Sequence, residues 1–141
     1  MGAARYCALI TQNNEGRASA RTMDPTVPDS DMVVHFATTP SSRKVSELAR
    51  DNRVTLYYFD AKLLRYVTLY GRAKIVRDPA QKRRAWKADW NPFYPKKEAG
   101  TVVFRVTPER LEIVSPPDNV VGDSVTWAPV TIPLRPRPAP R

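Results

Sequence analysis

The segment Thr38-Thr39-Pro40-Ser41-Ser42-Arg43-Lys44 gathers in one short run the side chains best suited to hold an anion. Two hydroxyl residues end an apolar stretch, Pro40 breaks it, two serines stand where a helix would begin, and two cations follow. The first N–H groups of a helix lack intrahelical partners, and the helix dipole makes that end positive. An anion is favoured there. Arg43 and Lys44 would be opposed by the same dipole, at about 0.3–1 kcal/mol each. A bound phosphate removes the conflict, with arginine supplying a forked contact and lysine a point charge. Taken alone, such a string is more commonly a serine-capped helix with two solvated basic residues.

Few other residues offer chemistry. One histidine (His35), one cysteine (Cys7) and scattered carboxylates give no metal-ligand spacing, so no metal site is expected. There is no Gly-x-Ser-x-Gly elbow, and five glycines form neither a P-loop nor a dinucleotide-binding turn. Any redox chemistry would have to come from a cofactor. The lone Cys7 cannot close an internal disulfide, which suits a reducing compartment. The opening residues lack the apolar run of a signal peptide, Tyr6 stands where a myristoylation signal needs Ser or Thr, and no apolar stretch approaches the ~20 residues of a membrane helix. A cytoplasmic location and no membrane contact are expected. The net charge of +9 points to an anionic partner, phosphate or nucleic acid. Arg135, Arg137 and Arg141 put part of that charge in a proline-rich tail, and the rest is spread along the chain.

The elements that must position the anion site follow from periodicity and turn residues. Residues 4–12 read as a strand, Asn13-Asn14-Glu15-Gly16 as a hairpin turn, and 17–23 as the returning strand, with Ala18, Ala20 and Thr22 facing opposite to Arg17, Ser19, Arg21 and Met23. Pro25 and Pro28 make 24–31 a loop before a third strand over 32–38. A serine cap precedes a helix over 43–52 with Val45, Leu48 and Ala49 inward. Residues 53–60 and 65–77 read as a strand pair. Asp78-Pro79 opens a second helix that would carry Trp86 and Trp90 on one face. Residues 101–107 and 109–115 read as two closing strands with a turn at Pro108, and no regular element is assigned beyond Pro116-Pro117. The class is mainly β with two or three short helices, as an antiparallel barrel rather than a parallel βαβ layout. One domain over 1–132 and a flexible Pro/Arg-rich tail over 133–141 are expected.

Five stretches in register carry a resemblance: Gly16 to Met23, Phe36-Ala37-Thr38-Thr39, Ser42-Arg43-Lys44, Arg53-Val54-Thr55-Leu56, and Tyr66 to Ala73. In order and spacing the chain resembles the pyridoxamine 5'-phosphate oxidase-like split barrels, and among them the general stress protein branch, whose tail Asp123 to Pro129 also resembles. The resemblance implies a Greek-key split β-barrel that binds FMN, with FAD or the deazaflavin F420 as alternatives. It implies a homodimer with flavin between the subunits. It places Thr38, Thr39, Ser42, Arg43 and Lys44 at the phosphate, Arg21, Thr22 and Met23 along the isoalloxazine ring, and Tyr66 and Trp127 as further flavin neighbours, Trp127 from the partner subunit. Met23, Tyr66 and Trp127 also fit as core filler, cross-strand packing and a tail anchor. The implied activity is flavin-dependent oxidoreduction of an unidentified substrate, in a stress-related role. A non-catalytic flavin-binding sensor is the second reading, and a basic nucleic-acid-binding barrel using Tyr57, Tyr58 and Phe59 is the third. The chain departs from the true oxidases in lacking their C-terminal Arg-x-His segment, so pyridoxamine 5'-phosphate oxidation itself is not expected. It also begins nearly on the first strand, where the family has a helix; either the helix is dispensable or the start is truncated.

Overall fold

The computed structural model describes residues 1–134. In chain order these form β1 (Cys7–Gln12), β2 (Ala18–Met23), β3 (Val34–Thr38), α1 (Arg43–Arg50), β4 (Arg53–Asp60), β5 (Arg65–Ile75), α2 (Pro79–Ala85), β6 (Val102–Val114) and β7 (Val130–Pro133). Short 3-10 turns lie at Ala88–Trp90, Lys97–Gly100 and Pro116–Asp118. A period-two burial pattern builds the sheet. In β1 the side chains of Cys7, Leu9 and Thr11 are buried and the intervening ones turn away, and β4 repeats the pattern with Val54, Leu56 and Tyr58. All pairings are antiparallel, in the order β2-β1-β4-β5-β6-β3, with β7 added against β6. The sheet curls into a half-barrel around Leu9, Val34, Leu56, Leu69 and Val106, with Phe36 stacked on Phe104 at 5.2 Å between ring centroids. Each such side chain contributes roughly 1.5–3 kcal/mol by leaving water. The expected antiparallel split-barrel class is the one the chain adopts. Among the described residues no helix is long and apolar enough to cross a membrane.

Two expected features take a different form. The two closing strands are one continuous strand, β6, and Pro108 lies inside it rather than at a turn. The pairing with β5 steps from Gly71↔Pro108 to Tyr70↔Arg110, so Glu109 is the extra residue of a β-bulge. Gly71 fits because a Cβ there would lie 2.4 Å from the Thr107 carbonyl oxygen. Proline inside a strand is accommodated at such bulges. Second, α2 ends at Ala85 and the Trp86 backbone is already extended, so Trp86 and Trp90 share no helix face. The chain folds back through Ala88–Trp90, and the two indoles meet edge-on at 5.3 Å. Trp90, Trp86 and Tyr94 then pack with Ala37, Val76 and Val103 as a second, smaller core. The last strand, β7, lies where the sequence predicts no regular element; it pairs with β6 through Pro133, and residues 135–141 of the expected tail lie outside the described residues.

The barrel is open along one line. β2 and β3 end the pairing order and do not pair with each other. α1 bridges this seam: Glu47 on the helix binds Arg21 of β2, and Lys44 on the helix binds Thr38 of β3. Farther along, Asp24, just past β2, accepts from Arg5 and Lys87, and its carbonyl accepts from the Trp90 indole at 2.8 Å. The Tyr94 hydroxyl ties the same module to β3 through the Ala37 carbonyl at 3.1 Å.

Candidate functional site

Cations from two elements converge where α1 crosses the seam. Lys44 Nζ donates to Thr38 Oγ1 at 2.9 Å and to Ser42 Oγ at 2.8 Å, and makes no ion pair among the described residues. Ser42 is the N-cap residue, yet its hydroxyl makes no capping bond. It turns to Lys44 instead. Burial, and next the Arg21 charge, lower the Lys44 pKa from its ordinary value; Glu47 pulls the other way, and Arg43 adds a smaller lowering. A lysine held this way gains from an incoming anion.

Arg21 and Arg43 are fixed by groups that sequence reading did not select. The Glu47 side chain is 1% exposed. Its Oε2 accepts from Arg21 Nη2 at 2.8 Å and from the Thr11 hydroxyl at 2.6 Å. Arg43 Nε lies 2.9 Å from Oε1 as an ion pair, although Oε1 receives no hydrogen bond. Ser19 Oγ accepts from both arginines, at 3.2 Å from Arg21 and 2.8 Å from Arg43. Burial raises the Glu47 carboxyl, but the hydrogen bonds from Thr11 and Arg21 and the two guanidinium charges outweigh it and leave the pKa below its ordinary value. Signals for these residues existed: Glu47 is four positions after Arg43 on one helix face, and Thr11 and Ser19 are paired across β1 and β2 on the side of Arg21.

Three cations against one carboxylate leave two positive charges in excess at the seam. A phosphate monoester carries about −1.5 to −2 at pH 7, a close match.

The expected site residues divide into groups. Arg21, Thr38, Ser42, Arg43 and Lys44 come together as described. Thr39 is exposed, and its carbonyl closes the Thr39–Ser42 turn by accepting from the Ser42 N–H at 3.1 Å. Thr22 and Met23, the next two residues along β2 from Arg21, line a cavity of about 220 Å³ together with Ala37, Trp90, Phe93 and Tyr94. Tyr66 sits with Tyr57 at 5.4 Å on the sheet face away from the core, at the end of β5 distant from α1. Trp127 is 80% exposed in a turn whose N–H bonds the Asp123 carbonyl. The single chain therefore does not bring Tyr66 or Trp127 to the clamp. Tyr58 turns into the core while Tyr57 and Phe59 face outward. Burial pushes the Cys7 thiol up to about 12, which removes a thiolate nucleophile. His35 lies outside the seam beside Arg105, its pKa lowered by burial and by that charge.

The model of the family described as pyridoxamine 5'-phosphate oxidase like matches residues 1–115. The chain belongs to this family. No match was found among curated proteins. Among solved structures, the pyridoxamine 5'-phosphate oxidase-like fold recurs in a protein from Clostridium acetobutylicum related to general stress protein 26, at TM-score 0.78 and 18% identity over 94% of this chain and 88% of that one. General stress protein 26 from Bacillus anthracis is similar at TM-score 0.70 and 19% identity, covering 93% and 90%. A protein named as an F420 reductase is similar at TM-score 0.61 and 22% identity, covering 77% and 89%.

Proposed function

We propose that this member of the pyridoxamine 5'-phosphate oxidase-like family binds FMN by its phosphate in the β2–β3 seam, as half of a homodimer, and serves as an oxidoreductase for a substrate still to be identified. The observation that carries the reading is the uncompensated pair of positive charges at the start of α1, centred on a lysine that has hydroxyl partners but no carboxylate. In this arrangement Lys44 and Arg43 would hold the phosphate, with the Thr38 and Ser42 hydroxyls beside it and Arg21 at its inner edge. Two strand positions separate Arg21 from Met23, about 7 Å at ~3.3 Å per residue. That spacing suits a ribityl chain between the phosphate and a ring lying against the cavity at Thr22, Met23 and Trp90. When bound, the flavin supplies hydride or electron transfer. The chain's own part is to bind, orient and shield, since neither Cys7 nor His35 stands in the seam as an acid or base.

The dimer rests on what one chain leaves open. Phe59 is 48% exposed beside Tyr57 and Tyr66, and Trp127 is nearly bare. A second copy packed over these exposed rings would bring its own Tyr66, and with it Trp127, toward the flavin held here. FAD and F420 remain rivals for the same clamp, F420 because a fold relative bears that name. Among the described residues the titratable groups of the seam, Lys44 and Glu47, are engaged in building the clamp, which favours one alternative, a flavin carrier or sensor without turnover. Titration of ligand-free protein with FMN, FAD and F420 by fluorescence, followed by anaerobic reduction with NADH and NADPH, tests both. Saturable FMN binding with bleaching at a catalytic rate supports the oxidoreductase, binding without turnover supports the carrier, and no binding of any of the three overturns the reading.

A further inference from the structure

We propose that Glu47 is the positioning residue of the anion site: a buried carboxylate that holds Arg21 and Arg43 side by side across the seam before a ligand arrives. The inference rests on the reading that the seam binds a phosphate, and it assigns a role to a residue that reading does not use.

The geometry is a closed circuit. Glu47 Oε2 meets Arg21, Arg21 meets the Ser19 hydroxyl, the hydroxyl meets Arg43, and Arg43 returns to Glu47 Oε1. Thr11 braces it from β1, donating to Glu47 while accepting from Arg21 at 2.5 Å. Two guanidinium groups sharing one hydroxyl repel each other, and Lys44 adds a third charge nearby. A carboxylate placed between them offsets this repulsion in the free protein. The ligand then meets cations already in position and does not have to assemble them, so less of its binding energy goes into ordering side chains.

Glu47 is also placed to do this without competing for the ligand. Its side chain is 1% exposed and lies one helical turn behind Arg43, whereas the Arg43 side chain is 69% exposed. The carboxylate therefore sits behind the arginines and the open side of the clamp faces solvent. The charged groups facing Glu47 are Arg21 from β2 and Arg43 and Lys44 from α1, and β1 contributes only the neutral Thr11. Nothing on that side of the seam supplies a second carboxylate among the described residues.

The test compares wild type, Glu47→Gln, Glu47→Asp and Thr11→Val for FMN affinity by fluorescence titration across pH, with inorganic phosphate as a competing probe. Glu47→Gln keeps the shape and loses the charge. It is expected to weaken FMN by about tenfold or more, the scale of one charge-assisted hydrogen bond misplaced. Glu47→Asp should recover part of the loss, because it restores the charge one methylene short. Thr11→Val, which preserves volume and removes only the brace, should move affinity in the same direction by less, and it keeps the question answerable if Glu47→Gln does not fold. Protonation of the ligand phosphate near pH ~6 weakens binding in every variant. A second, more acidic loss should appear in wild type and Glu47→Asp and be missing from Glu47→Gln. Read only over the pH range in which circular dichroism shows every variant folded, that difference is one a purely structural role would not produce. If wild type binds neither FMN nor phosphate, the seam reading itself falls. If wild type binds but Glu47→Gln matches or exceeds it with the same pH profile, the seam reading stands and the positioning role is overturned.

Discussion

Lys44→Met separates a ligand-binding lysine from a structural one, because the two roles predict opposite changes. In the free protein Lys44 is held below its ordinary pKa of 10.5 by burial and by the neighbouring Arg21 and Arg43 charges. Between that lowered value and 10.5 the unfolded chain binds the proton more firmly, so stability rises with pH through the window. At neutral pH the charged lysine is therefore a cost to the fold. Replacing it by methionine removes that cost while keeping most of the volume; the Thr38 and Ser42 hydroxyls lose a donor, but hydroxyls reorient readily. The free variant is expected to melt at the wild-type temperature or slightly above. Its affinity for FMN should fall by the worth of one charge-assisted contact, about 1.5–3 kcal/mol, or roughly tenfold to 150-fold. The salt dependence of binding should also become shallower, since one cation fewer meets the phosphate. Scanning calorimetry of the free protein and fluorescence titration with FMN at two ionic strengths measure both halves. A variant that melts several degrees lower and binds FMN as wild type does would make Lys44 a structural residue and refute the argument.

Further outcomes follow from the rest of the molecule and from the other groups of the site. Glu47 is held below its ordinary pKa of 4.5, so its contribution to stability is complete above that value and is lost as pH falls through its folded pKa; urea midpoints against pH should show this acid loss in wild type and a flatter line in Glu47→Gln. Gly71→Ala drives a Cβ against the Thr107 carbonyl and should cost about 1–3 kcal/mol, seen as a lower urea midpoint at unchanged slope. Sedimentation should give the mass of two chains, and Tyr66→Ala should weaken FMN while costing the free protein little more than its Tyr57 ring contact, about 0.5–1.5 kcal/mol; a monomer that binds FMN at full affinity would contradict the shared site.

The strands were legible because inward positions alternate so regularly: Cys7, Leu9 and Thr11, then Val54, Leu56 and Tyr58. The start of α1 was legible from Ser42 and the two cations behind it. What failed did so for local reasons. Pro108 reads as a turn when only its own segment is considered, and its place inside β6 depends on Gly71, far away in sequence, making room for a bulge. Trp86 and Trp90 keep helical spacing, but α2 stops at Ala85 and tertiary packing brings the indoles together another way. β7 consists of four exposed residues, so no burial pattern marks it. In the site, the contiguous string from Thr38 to Lys44 was visible, whereas Thr11, Ser19 and Glu47 act through β1–β2 pairing and a helix crossing that only the folded chain brings together.

The central claim is that a phosphate sits where α1 crosses the β2–β3 seam. A crystal structure of the protein saturated with FMN tests it directly. The account expects phosphate density bounded by Thr38, Ser42, Arg43 and Lys44, with the ring extending toward Met23 and Trp90. Flavin bound elsewhere, or a seam still closed over by its own side chains at saturating FMN, would contradict it.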